Sequence, residues 1–258
     1  MLVVVEITND SCYHGPPSGR YQFLPCPELP AKEMRLRVTY LKHLPTPEVR
    51  QQLTDDDWVC GDQIIDRTDC QGCDRCRGLR INARSFQPSR SQRHVDRRTR
   101  HLNVAWTSPG WTLERGTLLD RYAQSRFHRL PSRRTKSIAL TSCSGFVTDV
   151  LEIRGADGAL LAFSAVGRLP QGLSSHLAVW HPDHAHLSLG IASVLRELEE
   201  ARRLGLAWLY LGPIVVGHSA MAYKTTFHPH EIRQPDGVWR EMTADGEVIE
   251  RLDLACAS

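Results

Sequence analysis

The sequence contains no apolar run long enough to span a bilayer, which excludes a membrane-crossing helix from its reading. It also lacks a basic segment ahead of the apolar stretch Met1-Leu2-Val3-Val4-Val5, and the acids Glu6 and Asp10 come directly after that stretch, so no secretory signal is read there. A cytoplasmic location and no membrane partner are the expectations. Net charge is slight, at +3 from 32 Lys and Arg against 29 Asp and Glu, too small a balance to name a partner by itself. Histidine is plentiful, yet His176, His181, His184, His186, His218, His228 and His230 include no His-x-x-x-His pair on a convincing helix with a carboxylate ligand, which argues against a second metal site. What is there is ordinary for a globular protein. With 258 residues, 41% hydrophobic and 24% charged, the chain can bury one large core or two modest ones, and disorder is not expected.

Cysteine is where the chain departs from the ordinary. Cys70-Gln71-Gly72-Cys73-Asp74-Arg75-Cys76 places three thiols at a repeated two-residue spacing. Cys-x-x-Cys lets one tight turn bring two thiolates to the same metal, and a third in register adds a ligand without a long loop to close. Soft thiolate donors favour zinc or an iron–sulfur cluster. The fourth ligand has several candidates, Cys26, Cys60 or a histidine, of which Cys26 is preferred. A tight thiol cluster with no signal segment favours metal binding over disulfides. Cys12, Cys143 and Cys256 stand alone and read as small apolar residues.

Positive charge is concentrated beside this knuckle. Arg77, Arg80, Arg84, Arg90, Arg93, Arg97, Arg98 and Arg100 face a single acid, Asp96, and a second group comes later at Arg126, Arg129, Arg133, Arg134 and Lys136. Guanidinium forks bind phosphate oxygens in pairs, so this distribution points to a polyanion such as nucleic acid.

The elements read coarsely. Strands are expected over residues 1–10 and 34–44, and Thr46-Pro47-Glu48 opens a helix with a hydroxyl cap, proline and an acid in the first turn. Helices are expected within 89–103 and over 117–127. Ala156-Asp157-Gly158 turns a hairpin between strands at 147–154 and 160–166. A strand at 172–179 comes next, then a helix from Leu189 to Leu204 stopped by Gly205, then a buried strand at 207–211. This order predicts an α+β fold of the acyltransferase type, whose ligand sits where central strands separate.

Several ordered blocks together carry a family resemblance. They are Cys26-Pro27-x-Leu29-Pro30; the cysteine run continued by Arg77-x-Leu79-Arg80-Ile81; Phe86-x-Pro88-Ser89-Arg90-Ser91-Gln92-Arg93; Gly172-Leu173-Ser174-Ser175; and His181-Pro182-Asp183 with Ser188-Leu189-Gly190. Further on come Glu199-x-Ala201-Arg202-Arg203-Leu204-Gly205, Tyr210-Leu211-Gly212 and Ser219-x-Met221-x-Tyr223-Lys224-x-x-Phe227-x-Pro229. The chain resembles the aminoacyl-tRNA–protein transferases: the bacterial leucyltransferases that act on acidic N-termini, and the eukaryotic arginyltransferases.

The resemblance implies an N-terminal Cys-rich α+β domain (1–105) that contacts tRNA, packed on a C-terminal GNAT-like acyltransferase domain (106–258). The donor would be an aminoacyl-tRNA of Leu or Arg type and the acceptor a protein or peptide N-terminus. It also implies an iron–sulfur cluster (4Fe–4S type) ahead of zinc, held by Cys26, Cys70, Cys73 and Cys76. Ser174, Tyr223 and Lys224 are the expected catalytic residues. Arg77, Arg80, Ser89, Arg90, Gln92, Arg93, Ser175, His218, Ser219, Met221 and Phe227 are expected to bind substrate. An aminoacyl ester is already activated, so alignment of an amine with the ester carbonyl can carry most of the catalysis.

The chain also departs from the family pattern. Pro213-Ile214-Val215-Val216 replaces a usual aromatic pair, Ala220 a lysine, Gln171 an aspartate, and Trp180-His181-Pro182 an aromatic-Asp-Pro element. These positions are expected to line the amino-acid and acceptor pockets. Two other classes fit the same pattern less well. An acyl-CoA-dependent N-acyltransferase would want more glycine than Gly190 at the opening of the 189–204 helix. A non-catalytic tRNA-binding module would show salt-sensitive binding without turnover.

Overall fold

The computed structural model describes residues 20–249 except 27–28, 30, 42, 62–63, 133–134, 137–144, 217–218 and 244–245. The expected strand at 1–10 and the residues Cys12, Arg133, Arg134, Cys143, His218 and Cys256 lie outside the described residues.

Two sheets organise the chain. The smaller, entirely antiparallel, has the order β1 (Arg20–Pro25), β2 (Glu33–Tyr40), β4 (Ile64–Thr68), β3 (Val59–Gly61). The larger has eight strands in the order β12 (Trp239–Glu241), β11 (His230–Arg233), β5 (Cys76–Asn82), β10 (Trp208–Val215), β9 (Gly172–Trp180), β8 (Leu160–Arg168), β7 (Asp149–Arg154), β6 (Asn103–Thr107). The architecture is α+β, as expected. β5 and β6 come early in the chain yet belong to the large sheet, so the two sheets do not divide the chain into a first and a second half.

Four helices obey their sequence signals. α1 (Pro47–Asp55) starts where the Thr46 hydroxyl accepts from Val49 N at 3.4 Å, with proline in its first turn and Glu48 complementing the helix dipole. α2 (Arg90–Thr99) opens on a capping box between Ser89 and Gln92. α3 (Leu113–Phe127) begins four residues before the expected Thr117, because Thr112 Oγ1 accepts from Arg115 N at 3.2 Å. α4 (Leu189–Arg203) ends just before Gly205, whose φ of +72° supplies the left-handed turn.

Helices cover both faces of the large sheet. α3 packs Leu118 and Leu119 on Val150, Phe163 and Val179. On the other face α2 and α4 set Val95, Leu189 and Ala192 against Ile153 and Ala162. β8, sandwiched between them, is buried over nearly its whole length. α4 also roofs the central core of Leu79, Ile81, Leu173, Leu198 and Leu209. The small sheet and α1 enclose their own cluster of Leu53, Trp58 and Ile65.

α1 ties this second unit to the first. Tyr210 on β10 donates its hydroxyl to Asp55 Oδ1 at 2.6 Å, and Gln51 Nε2 donates to Tyr210 at 2.9 Å. The space left between the two sheets becomes the site.

Candidate active site

β9 and β10 run parallel, unlike the other neighbouring strands of this sheet, and they pair only from Trp208↔Gly172 to Tyr210↔Ser174. Beyond that point they part. β9 continues against β8, and β10 continues against β5 after a bulge between Tyr210 and Gly212. Gly212 has φ +69°, a conformation that side chains other than hydrogen resist. The opening leaves Ser175, His176, Leu177 and Ala178 half-buried in a strand that is otherwise core.

A cavity of about 510 Å³ occupies the gap and extends to the small sheet. Ser174, Ser175, His176, Tyr210, Pro213, Met221 and Lys224 line one side, and Leu36, Asp57 and Trp58 the other. Separate parts of the sequence thus converge on it, including four of the expected site residues: Ser174, Ser175, Met221 and Lys224.

Lys224 lies in the 3-10 helix Ser219–Thr226 beside β10. Its Nζ donates to Leu211 O and Pro213 O, both at 2.8 Å, so it grips the bulge on either side of Gly212. Burial lowers its pKa to about 8. The expected phosphate or carboxylate contact is replaced here by two backbone carbonyls. Tyr223, next to it, is exposed by area, but desolvation first and the Glu197 charge second raise its phenol above the ordinary range. It stays a proton donor at working pH. Ser219 belongs to the same helix, and His218 precedes it outside the described residues.

Behind Ser175 stands a carboxylate that motif reading missed. Glu197 on α4 is fully buried, and Ser175 Oγ donates to its Oε1 at 3.3 Å. The Ser164 hydroxyl also faces it, yet neither Glu197 Oε2 nor Ser164 Oγ closes a hydrogen bond among the described residues. Burial raises the pKa of Glu197 to about 7, with the two hydroxyls pulling the other way. Its signal was available: Glu197 is three residues after Val194 and four before Ala201, on the apolar stripe of α4.

Two further lining residues were also missed. His176 is held neutral, its pKa lowered to about 4 by burial. Asp57 takes φ +62° and accepts from Gly78 N at 3.0 Å, and burial raises its pKa to about 6. A β-carbon at Gly78 would lie 1.8 Å from Asp57 Oδ1, which explains glycine inside the Arg77-x-Leu79-Arg80 block.

The remaining expected residues divide between structure and surface. Arg80, expected to bind substrate, is engaged within the fold. Its guanidinium pairs with Glu231 at 2.7 Å and Asp55 at 3.2 Å and stacks on Trp208 and Trp239, so the fork joins β5 to its neighbours. Arg77 staples the cysteine turn through Asp74 and reaches Gln234 Oε1 at 3.0 Å. Phe227 is fully buried and packs against Phe86. Ser89 and Gln92 close the capping box, and Gln92 Nε2 donates to Thr226 O at 3.1 Å, fastening α2 to the helix that carries Lys224. Arg90 and Arg93 are exposed with His94 and Arg97, and α2 has no acid in its first turn. This basic face can meet phosphate.

Cys26, Cys70, Cys73 and Cys76 are half-buried. Cys26 N donates to Lys32 O at 2.9 Å just past β1, Cys70 Sγ accepts from Arg35 N at 3.3 Å just past β4, and Cys76 opens β5. The knuckle therefore sits at one end of the small sheet. Among the described residues no three His, Cys, Asp or Glu side chains converge to hold a metal ion. The donor chemistry suits a soft metal, but the described arrangement does not close around one.

Comparison with known proteins covers both units. Residues 24–94 match the family described as arginine-tRNA-protein transferase, N terminus, and residues 114–234 match arginine-tRNA-protein transferase, C terminus. An aspartate/glutamate leucyltransferase of Halorhodospira halophila is 38% identical over 181 residues, 67% of this chain and 75% of its own. One of Aeromonas hydrophila subsp. hydrophila is 33% identical over 186 residues, 71% of this chain and 77% of its own. Among solved structures, L-PGS from Bacillus licheniformis aligns at 14% identity and a TM-score of 0.41, covering 59% of this chain and 52% of its own, too remote a likeness to carry an argument.

Proposed function

This chain belongs to the aminoacyl-tRNA–protein transferase family, and from that premise we propose that the cavity between β9 and β10 is where its transfer reaction takes place. The chain is an aminoacyltransferase that moves an amino acid from aminoacyl-tRNA to the N-terminal amine of an acceptor protein. One observation carries the location: the parallel strands part at Ser174, and the gap is walled by residues from β9, β10 and the Lys224 helix. A crossover helix over two parallel strands that then splay also supports a GNAT-like fold for the larger sheet.

The α-amine of the acceptor attacks the ester carbonyl, a C–N bond forms, and the C–O bond to the terminal ribose breaks. Ser174 is placed to hydrogen-bond the carbonyl or the acceptor backbone. Tyr223, on the same helix as Lys224, is read as orienting the ester. Lys224 acts by fixing the bulge rather than by touching phosphate, since its ammonium is engaged by Leu211 and Pro213. The basic face of α2, with Arg90 and Arg93, supports tRNA docking near the same helix.

The donor is read as Leu or Arg type and the acceptor as an acidic N-terminus. Pro213, where the family pattern has an aromatic pair, lines the cavity and bears on that choice. The four thiols are read as holding an iron–sulfur cluster or zinc, supported by their soft donor chemistry and by Cys26 and Cys70 lying at one end of the small sheet, and the transfer step draws no chemistry from it. The test is transfer of radiolabelled amino acids from a mixed charged-tRNA pool to peptides beginning with every residue type, using anaerobically purified protein. Label on peptides with Asp or Glu first supports the reading; tight tRNA binding with no label on any peptide rejects it.

A further inference from the structure

Glu197 is an expensive residue for a helix that packs only to stabilise. Its side chain is wholly buried between α4 and the sheet, where a leucine would add apolar burial. Among the described residues its contacts are sparse: one hydrogen bond from Ser175, a facing hydroxyl at Ser164, and an Oε2 left unpaired. From the Lys224 helix Tyr223 is close enough to feel its charge, and Arg126 on α3 acts in turn on Tyr223. No cation offsets Glu197 directly among the described residues. Ser175, in contrast, lines the cavity. Ser175 thus belongs both to the wall of the gap and to the hydrogen bond with Glu197.

We propose that Ser175 and Glu197 form the proton relay of the transfer, with Ser175 touching the acceptor amine and Glu197 holding the proton behind it. The inference rests on the cavity being the transfer site. As the amine nitrogen bonds to the ester carbon, its proton passes to Ser175 Oγ while the Ser175 proton passes to Glu197 Oε1. As the C–O bond breaks, Ser175 protonates the departing ribose oxygen and recovers its proton from Glu197. One proton has moved from nitrogen to oxygen, and Glu197 ends ionised as it began. Its pKa of about 7 suits a group that must take and return a proton near neutrality. Glu197 acts through Ser175 and is a positioning and proton-holding residue.

The test is the pH dependence of kcat/KM for the acceptor peptide at saturating charged tRNA, for the native chain, Glu197→Gln and Ser175→Ala. A peptide amine titrates at about 7.7–8.0. With Glu197 also required as a base, the logarithm of kcat/KM should climb at a slope of about two below pH 7, and Glu197→Gln should reduce that slope to about one. Both substitutions should lower the rate about 10²–10⁴-fold, with charged-tRNA binding unchanged. Ser175→Ala carries the same test if Glu197→Gln does not fold. A variant within about threefold of the native rate, or one that keeps the steeper slope, overturns the relay alone. A native protein that transfers nothing from any charged tRNA overturns the cavity reading and the relay with it.

Discussion

Lys224 Nζ lies 2.8 Å from the carbonyl oxygen of Pro213 and donates to it, which fixes the far side of the bulge that separates β10 from β9. The second bond, to Leu211 O, makes the lysine a clamp across Gly212. Lys224→Met should cost about 2 kcal/mol, the loss of two charge-assisted hydrogen bonds less the relief of burying an ammonium. Peptide transfer should fall at least tenfold while the salt dependence of tRNA binding stays as it was. Loss of transfer together with a flatter salt slope would instead assign Lys224 to phosphate.

Arg90→Ala and Arg93→Ala should each weaken charged-tRNA binding and reduce the slope of log K against log salt by about one per lost phosphate contact. Ser89→Ala removes the cap of the same helix without removing charge. It should lower stability by about 1 kcal/mol and leave that slope alone. Filter binding over a salt series, beside thermal melts, separates the two effects. If Ser89→Ala flattened the slope as much as Arg90→Ala, the helix would be acting through its cap and not its arginines.

Glu197 makes stability depend on pH in a defined direction. Its folded pKa, about 7, lies above its ordinary value of 4.5, so the folded state binds the extra proton between these pH values. Stability is therefore greatest below 4.5 as far as this group is concerned and declines as pH rises through 7, by about 3 kcal/mol in all. Glu197→Gln should flatten that decline. Urea titrations at pH 5.5 and 8 check it, and equal declines in both proteins would place the burial penalty elsewhere.

Arg115 and Glu152 form a buried pair at 2.8 Å, with side chains 4% and 7% exposed, that seats the start of α3 on β7. Arg115 also donates to Ser108 O and Gly110 O. Arg115→Met should destabilise by about 1.5–3 kcal/mol, because Glu152 loses a charge-assisted hydrogen bond but keeps Arg154 at 2.9 Å, and Arg115→Met with Glu152→Met should cost less than the sum of the two single changes. Chemical denaturation of the three variants gives the coupling directly.

Cys73→Ser should lower the iron or zinc content of anaerobically purified protein and weaken tRNA binding with it. Elemental analysis beside ultraviolet–visible spectra reads both metals. Native protein free of iron and zinc would remove the cofactor from the reading of the knuckle.

Much of the fold was legible because its signals are local. The Thr46 cap, the Asp157-Gly158 turn and the Gly205 stop each act within a few residues, and each sits where the pattern puts it. The short strands β11 and β12 were not read, since four and three residues carry too little periodicity. In the site, Ser174, Ser175, Met221 and Lys224 were legible through family blocks, and all four line the cavity. Arg80 and Phe227 matched blocks as well, yet blocks mark residues that recur without saying whether they bind or pack.

The sequence alone determined the α+β class, the presence of the helices, the basic stretch beside the cysteines and the family, because these rest on periodicity, capping chemistry and ordered motifs. Tertiary structure alone decided that β9 and β10 part after Ser174, that Lys224 faces two carbonyls, and that Glu197 stands behind Ser175. The reason is physical. Whether a charged side chain meets solvent, a carbonyl or a buried hydroxyl depends on partners from distant segments, and Ser175 and Glu197 come together only when α4 folds back over the sheet.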